Sequence, residues 1–129
     1  MKATTIMVNY LIVGLGGGIG AMLRYGVQTQ IVSHFGTIPP WGTWLANVSG
    51  CLLFGLIAGW GLRQSGFSTE WRLFLLTGIC GGYTTFSSFT AEALQFCQRG
   101  EWLLAFLYIG STLLFGFLGL WVATTIMQH

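Results

Sequence analysis

The chain has 129 residues, 53% of them hydrophobic and only 6% charged; its acids are Glu70, Glu92 and Glu101, and it has no aspartate. An ordinary soluble domain carries roughly 25% charged residues, so this composition excludes a water-covered globule and puts hydrocarbon around most of the surface. A net charge of +2 without any Lys/Arg run excludes nucleic acid as a partner.

Charges punctuate the chain into four apolar spans with short loops, a single transmembrane domain over residues 1–129. A helix needs about 20 apolar residues to cross a bilayer, and the expected spans are about 4–24, 41–62, 71–97 and 102–127. The first opens after Lys2 and closes on Arg24 and Tyr25, where a cleaved signal peptide would need small residues. Its "GLGGGIGAMLRY" contains Gly16-x-Gly18-x-x-Ala21, a form of the dinucleotide fingerprint. That fingerprint needs a strand before it and an acid about 20 positions later, whereas the first acid here is Glu70. Gly14 with Gly18, and Gly16 with Gly20, read instead as small-xxx-small pairs for close helix approach in lipid.

"SHFGTIPP" (33–40) interrupts the next apolar stretch, and Pro39 and Pro40 suit the start of a helix better than its interior. In the second span Thr43, Asn47, Gly50 and Phe54 share one face at helical spacing. The third span holds "GICGGYTTFSSFTAEA" (78–93). Gly81, Gly82, Thr84 and Thr85 are poor helix formers, so the sequence predicts a break there, tolerable in lipid only where protein, water or an ion satisfies the freed backbone. Phe86, Phe89 and Glu92 follow at intervals of three, with Thr85 and Ser88 beside them, and the fourth span adds Tyr108, Ser111 and Thr112.

Intramembrane polar groups are functional candidates by default, and together these form a run of small donors passing aromatic rings. Phenylalanine edges are electropositive, so Phe86 and Phe89 suit an anion. No nucleophile and base come together, since His34 and His129 fall in a loop and at the terminus and no aspartate exists to orient them; the chain is not read as an enzyme. Cys51, Cys80 and Cys97 lack CxxC spacing and read as packing residues. With four spans, Lys2, Arg63 and Arg72 face Arg24 and Arg99 across the membrane, a weak positive-inside bias. Such a chain is expected to insert both ways and pair antiparallel. Third-span carbonyls from two copies would then meet on the two-fold axis around one cation, most plausibly Na⁺.

At "GGGIGAMLRY", "GTWLANVSG" and "GGYTTFSSF" the sequence resembles the Fluc (CrcB) family of fluoride channels, along almost its whole length. The resemblance implies an all-α membrane protein of four transmembrane helices per subunit, the third broken, assembled as an antiparallel dual-topology homodimer. It implies passive, selective export of F⁻ through two pores, with a structural Na⁺ at the centre, in a bacterial inner membrane. Carried over by position, the pore residues are Asn47, Phe86, Phe89, Ser88, Thr43, Tyr108, Thr112 and Glu92. Arg24 is the vestibule cation, and the backbone carbonyls of Gly81 and Thr84 hold Na⁺. Tyr83, Ser88, Ala46 and Cys51 depart from the commonest family residues. The alternative is a small dual-topology proton-coupled exporter, which needs a carboxylate that the first span lacks. A structural assembly subunit would explain the glycines but not the clustered donors.

Overall fold

The computed structural model describes residues 2–37 and 40–128, which are helical with no strand among them. Three helices are long and apolar enough to cross a membrane: α1 (Ala3–Phe35), α2 (Trp41–Arg63) and α6 (Trp102–Gln128). Between α2 and α6 the chain forms α3 (Thr69–Arg72), a π-helical segment (Leu73–Cys80), α4 (Gly81–Tyr83) and α5 (Phe86–Gln98). α1 runs past Arg24 without interruption, because a single charge does not break a helix that its own hydrogen bonds continue. It ends at Gly36, whose φ of 81° needs a glycine and whose N–H bonds the Val32 carbonyl at 2.9 Å. His34, expected in a loop, sits in the last turn of α1, with Nδ1 2.8 Å from the Gln30 carbonyl oxygen. Pro39 and His129 lie outside the described residues, while Pro40 immediately precedes α2.

The predicted break exists, displaced from the glycines. Gly81 and Gly82 are helical; the extended residues are Thr84 (φ −81°, ψ 155°) and Thr85 (φ −148°, ψ 117°). β-Branched threonines accept the extended region readily, and the Thr85 hydroxyl caps the helix that follows by accepting from the Ser88 N–H at 3.2 Å. α5 closes in a paired-bond cap: Gly100 (φ 76°) donates to the Cys97 carbonyl at 3.0 Å and Glu101 to Phe96 at 2.9 Å.

The glycines serve close packing. A β-carbon on Gly16 would lie 2.5 Å from the Phe74 carbonyl oxygen, and one on Gly20 would collide with the Ile79 carbonyl oxygen; one on Gly82 would strike the Gly17 backbone. α1 therefore lies against the π segment and α4 at backbone contact. Of the two small-residue pairs, Gly16 and Gly20 make this contact; Gly14 and Gly18 meet nothing within 4 Å. Gly55 and Gly59 let α6 approach α2 in the same manner. Phe89, Ala93, Phe96, Ala105 and Tyr108 form the apolar core between α5 and α6.

Candidate functional site

The second helix braces the break. Asn47 Oδ1 accepts the Thr85 N–H at 2.7 Å, and Asn47 Nδ2 donates to the Thr85 carbonyl at 3.0 Å. One amide side chain thus replaces both backbone partners that Thr85 forfeits by leaving the helix. A second brace joins Tyr83 to Ser49 at 3.0 Å. Ser49 already commits its proton to the Leu45 carbonyl at 2.6 Å, so the tyrosine is the donor. From α1, Arg24 Nε donates to the Gly82 carbonyl at 3.2 Å. Arg24 therefore secures the break itself rather than standing apart on a loop.

These braces also decide which carbonyls stay free. In a continuous helix Thr85 N–H would bond Gly81 and Ser88 N–H would bond Thr84. Here the first goes to Asn47 and the second to the Thr85 hydroxyl. The two carbonyls expected to face a cation are thus ones whose helical donors are drawn off by side-chain oxygens. Gly81 and Thr84 both line a cavity of about 290 Å³. Among the described residues, no three His, Cys, Asp or Glu side chains converge to hold a metal, so a cation here would depend on backbone oxygen. A hard ion such as Na⁺ suits that donor set.

Adjoining that cavity, Asn47, Phe86, Phe89 and Thr112 line another of about 370 Å³ whose wall shares Thr84 and Cys51 with the first. The two phenylalanine rings are tilted by 51° with centroids 6.0 Å apart. Their environments differ sharply: Phe89 is 7% exposed against Tyr108, while Phe86 is 77% exposed and projects outward.

Thr43, Glu92 and Tyr108 form a chain of short hydrogen bonds. Thr43 Oγ1 donates to Glu92 Oε1 at 2.7 Å, and Tyr108 Oη donates to Glu92 Oε2 at 2.6 Å. Gln28 Nε2 donates to Thr43 Oγ1 at 3.0 Å and so points the threonine proton at the carboxylate. Thr112 spends its hydroxyl on the Tyr108 carbonyl at 2.6 Å, four residues back, and Ser88 faces Thr85 at 3.2 Å. The structure thus gathers the expected residues into two groups, one at the Phe cavity and one around Glu92, both spanning the α2, α5 and α6 surfaces. Gln28 was missed, because it lies beyond the expected end of the first span and no spacing marks it. Trp44 was missed too; its Nε1 donates to Ser111 at 3.1 Å, and the demand of a half-buried indole for an acceptor was the available signal.

A chain with three helices long and apolar enough to cross a membrane is a multi-pass membrane protein, and this one carries hydroxyls, an amide and aromatic rings around an interrupted helix. Residues 11–124 match the family described as CrcB-like protein, Camphor Resistance (CrcB). A "Fluoride-specific ion channel FluC" from Hyphomonas neptunium is 48% identical over 125 residues, covering 93% of this chain and 98% of the relative. "Fluoride-specific ion channel FluC 2" from Nitrobacter hamburgensis is 42% identical, covering 94% and 98%. A Flavobacterium psychrophilum protein of the FluC name is 40% identical, covering 91% and 94%. The chain belongs to this Fluc (CrcB) family, whose named members are ion channels, not enzymes.

Proposed function

We propose that the chain is a fluoride-selective passive channel of a bacterial inner membrane, which lets F⁻ leave the cytoplasm down its electrochemical gradient. The observation that carries this reading is the convergence of Asn47, Phe86, Phe89 and Thr112 on one cavity, in a chain 48% identical to a fluoride-specific channel. Fluoride is small and holds water tightly. Passage requires substitute donors at hydrogen-bond distance, which an amide, hydroxyls and electropositive ring edges supply. Thr43 and Tyr108 spend their single protons on the two Glu92 oxygens, and in this reading a passing anion takes those protons over. Ser88 and Thr112 extend the same path, and Arg24 draws anions toward it.

In this reading the residues from 71 to 97 make the third of four crossings, as a span of two helical halves, and two chains inserted in opposite directions form the conducting unit. The 77% exposure of Phe86 supports a second chain completing the path, giving two pores per dimer. Na⁺ at the dimer centre would be held by Gly81 and Thr84 carbonyls from both chains, and it supplies positive charge where backbone oxygens converge. A proton-coupled exporter has no support in α1, which carries no carboxylate. Liposomes containing the purified protein are expected to release F⁻ and retain Cl⁻ without a pH gradient. Equal efflux of the two halides, or efflux only with a proton gradient, refutes the channel.

A further inference from the structure

We infer that Asn47 and Thr85 are positioning residues for the cation site, keeping the Gly81 and Thr84 carbonyls available by occupying the N–H groups that would otherwise bond them. This rests on the Na⁺ reading above and adds to it why those carbonyls stay open. A helix closes on itself wherever a donor lies four residues after an unpaired carbonyl. Thr85 N–H stands in that relation to Gly81, and Ser88 N–H to Thr84. The first is held at 2.7 Å by Asn47 Oδ1 and the second at 3.2 Å by Thr85 Oγ1. The carbonyl of Thr85 is held in turn by Asn47 Nδ2 at 3.0 Å, which fixes the residue in its extended conformation. Of the neighbouring carbonyls, that of Gly82 accepts from Arg24 and that of Cys80 accepts the Thr84 hydroxyl at 3.0 Å. Side chains from α1, α2 and the break itself thus sort the oxygens of one turn into occupied and free.

Loss of the Asn47 oxygen releases the Thr85 N–H to the Gly81 carbonyl, and that ligand is consumed. Loss of the Thr85 hydroxyl does the same to Thr84. Asn47 thereby links the anion cavity, which it lines, to the adjoining cation site, since Thr84 borders both.

The test reads cation binding without flux. The thermal unfolding midpoint of the purified protein is followed as Na⁺ replaces N-methyl-D-glucamine at constant ionic strength. The wild type is expected to gain stability saturably, since a ligand bound only to the folded state raises the midpoint. Asn47→Ala and Thr85→Val are expected to need roughly 10- to 100-fold more Na⁺ for half the effect, the usual cost of removing a group that orients a metal ligand. Thr85→Ser keeps the capping oxygen and should titrate like the wild type. Should Asn47→Ala fail to fold, Thr85→Val against Thr85→Ser decides the matter. Wild-type half-saturation in Thr85→Val overturns the inference and leaves the Na⁺ reading intact; a wild type indifferent to Na⁺ overturns both.

Discussion

Gly20→Ala probes the backbone contact between α1 and the π-helical segment. A β-carbon at Gly20 would collide with the Ile79 carbonyl oxygen and lie 2.8 Å from the Tyr83 amide nitrogen, both of them backbone atoms that no rotamer change can move aside. To restore ordinary contact α1 must withdraw by about 1 Å, and overpacking of this kind costs about 1–3 kcal/mol. Withdrawal also strains the Arg24 bond to the Gly82 carbonyl, now 3.2 Å long and worth about 1 kcal/mol. Alanine regains about 1 kcal/mol over glycine through helix propensity. The two smaller effects cancel and the overlap decides the sign, leaving a net loss of about 1–3 kcal/mol, or roughly a 5- to 150-fold rise in the unfolding equilibrium. Equilibrium unfolding in mixed micelles, followed by the fluorescence of the six tryptophans, measures it. Unchanged or increased stability would refute the backbone-contact account of this interface.

Phe89→Ala should destabilise the fold by about 3–5 kcal/mol, because the ring is 7% exposed and packs 5.4 Å from Tyr108. Phe86→Ala, at 77% exposure, should leave chain stability nearly unchanged yet abolish F⁻ efflux, and wild-type efflux would remove it from the path. Glu70, outside the apolar spans, is held below the usual carboxylate range by its own backbone N–H and by the Ser68 hydroxyl. Its contribution to the start of α3 is therefore complete above the unfolded-state pKa and is lost as pH falls through the folded one. Exchange protection of the Trp71 amide, corrected for intrinsic rate, should weaken between about pH 5 and pH 3, and Ser68→Ala should blunt that dependence.

Helix content and the interruption were legible because both follow from local chemistry. Long uncharged runs specify spans, and "GGYTTF" combines weak helix formers with β-branched residues. The position of the interruption was less legible. Gly81, Gly82, Thr84 and Thr85 all looked like weak helix formers; Gly82 is needed as a small helical residue against α1, and Thr84 and Thr85 take the extended conformation. Thr43 and Asn47 were readable as one face of α2. Their partners were not, since Gln28, Glu92 and Thr85 reach them from helices whose rotation the sequence leaves undefined. The end of α1 was misjudged because Arg24 looks like a boundary, yet its guanidinium is used inside the fold, on the Gly82 carbonyl.

The extended pair at Thr84 and Thr85 creates two new helix ends within a single turn of chain. Peptide dipoles add along a helix to about half a negative charge at the carboxyl end and half a positive charge at the amino end. The run finishing at Tyr83 directs its negative pole toward Gly81 and Thr84, and α5 directs its positive pole toward Phe86 and Ser88. A single interruption therefore polarises its surroundings in both senses, and any substitution that let the helix run through would discharge the two poles together.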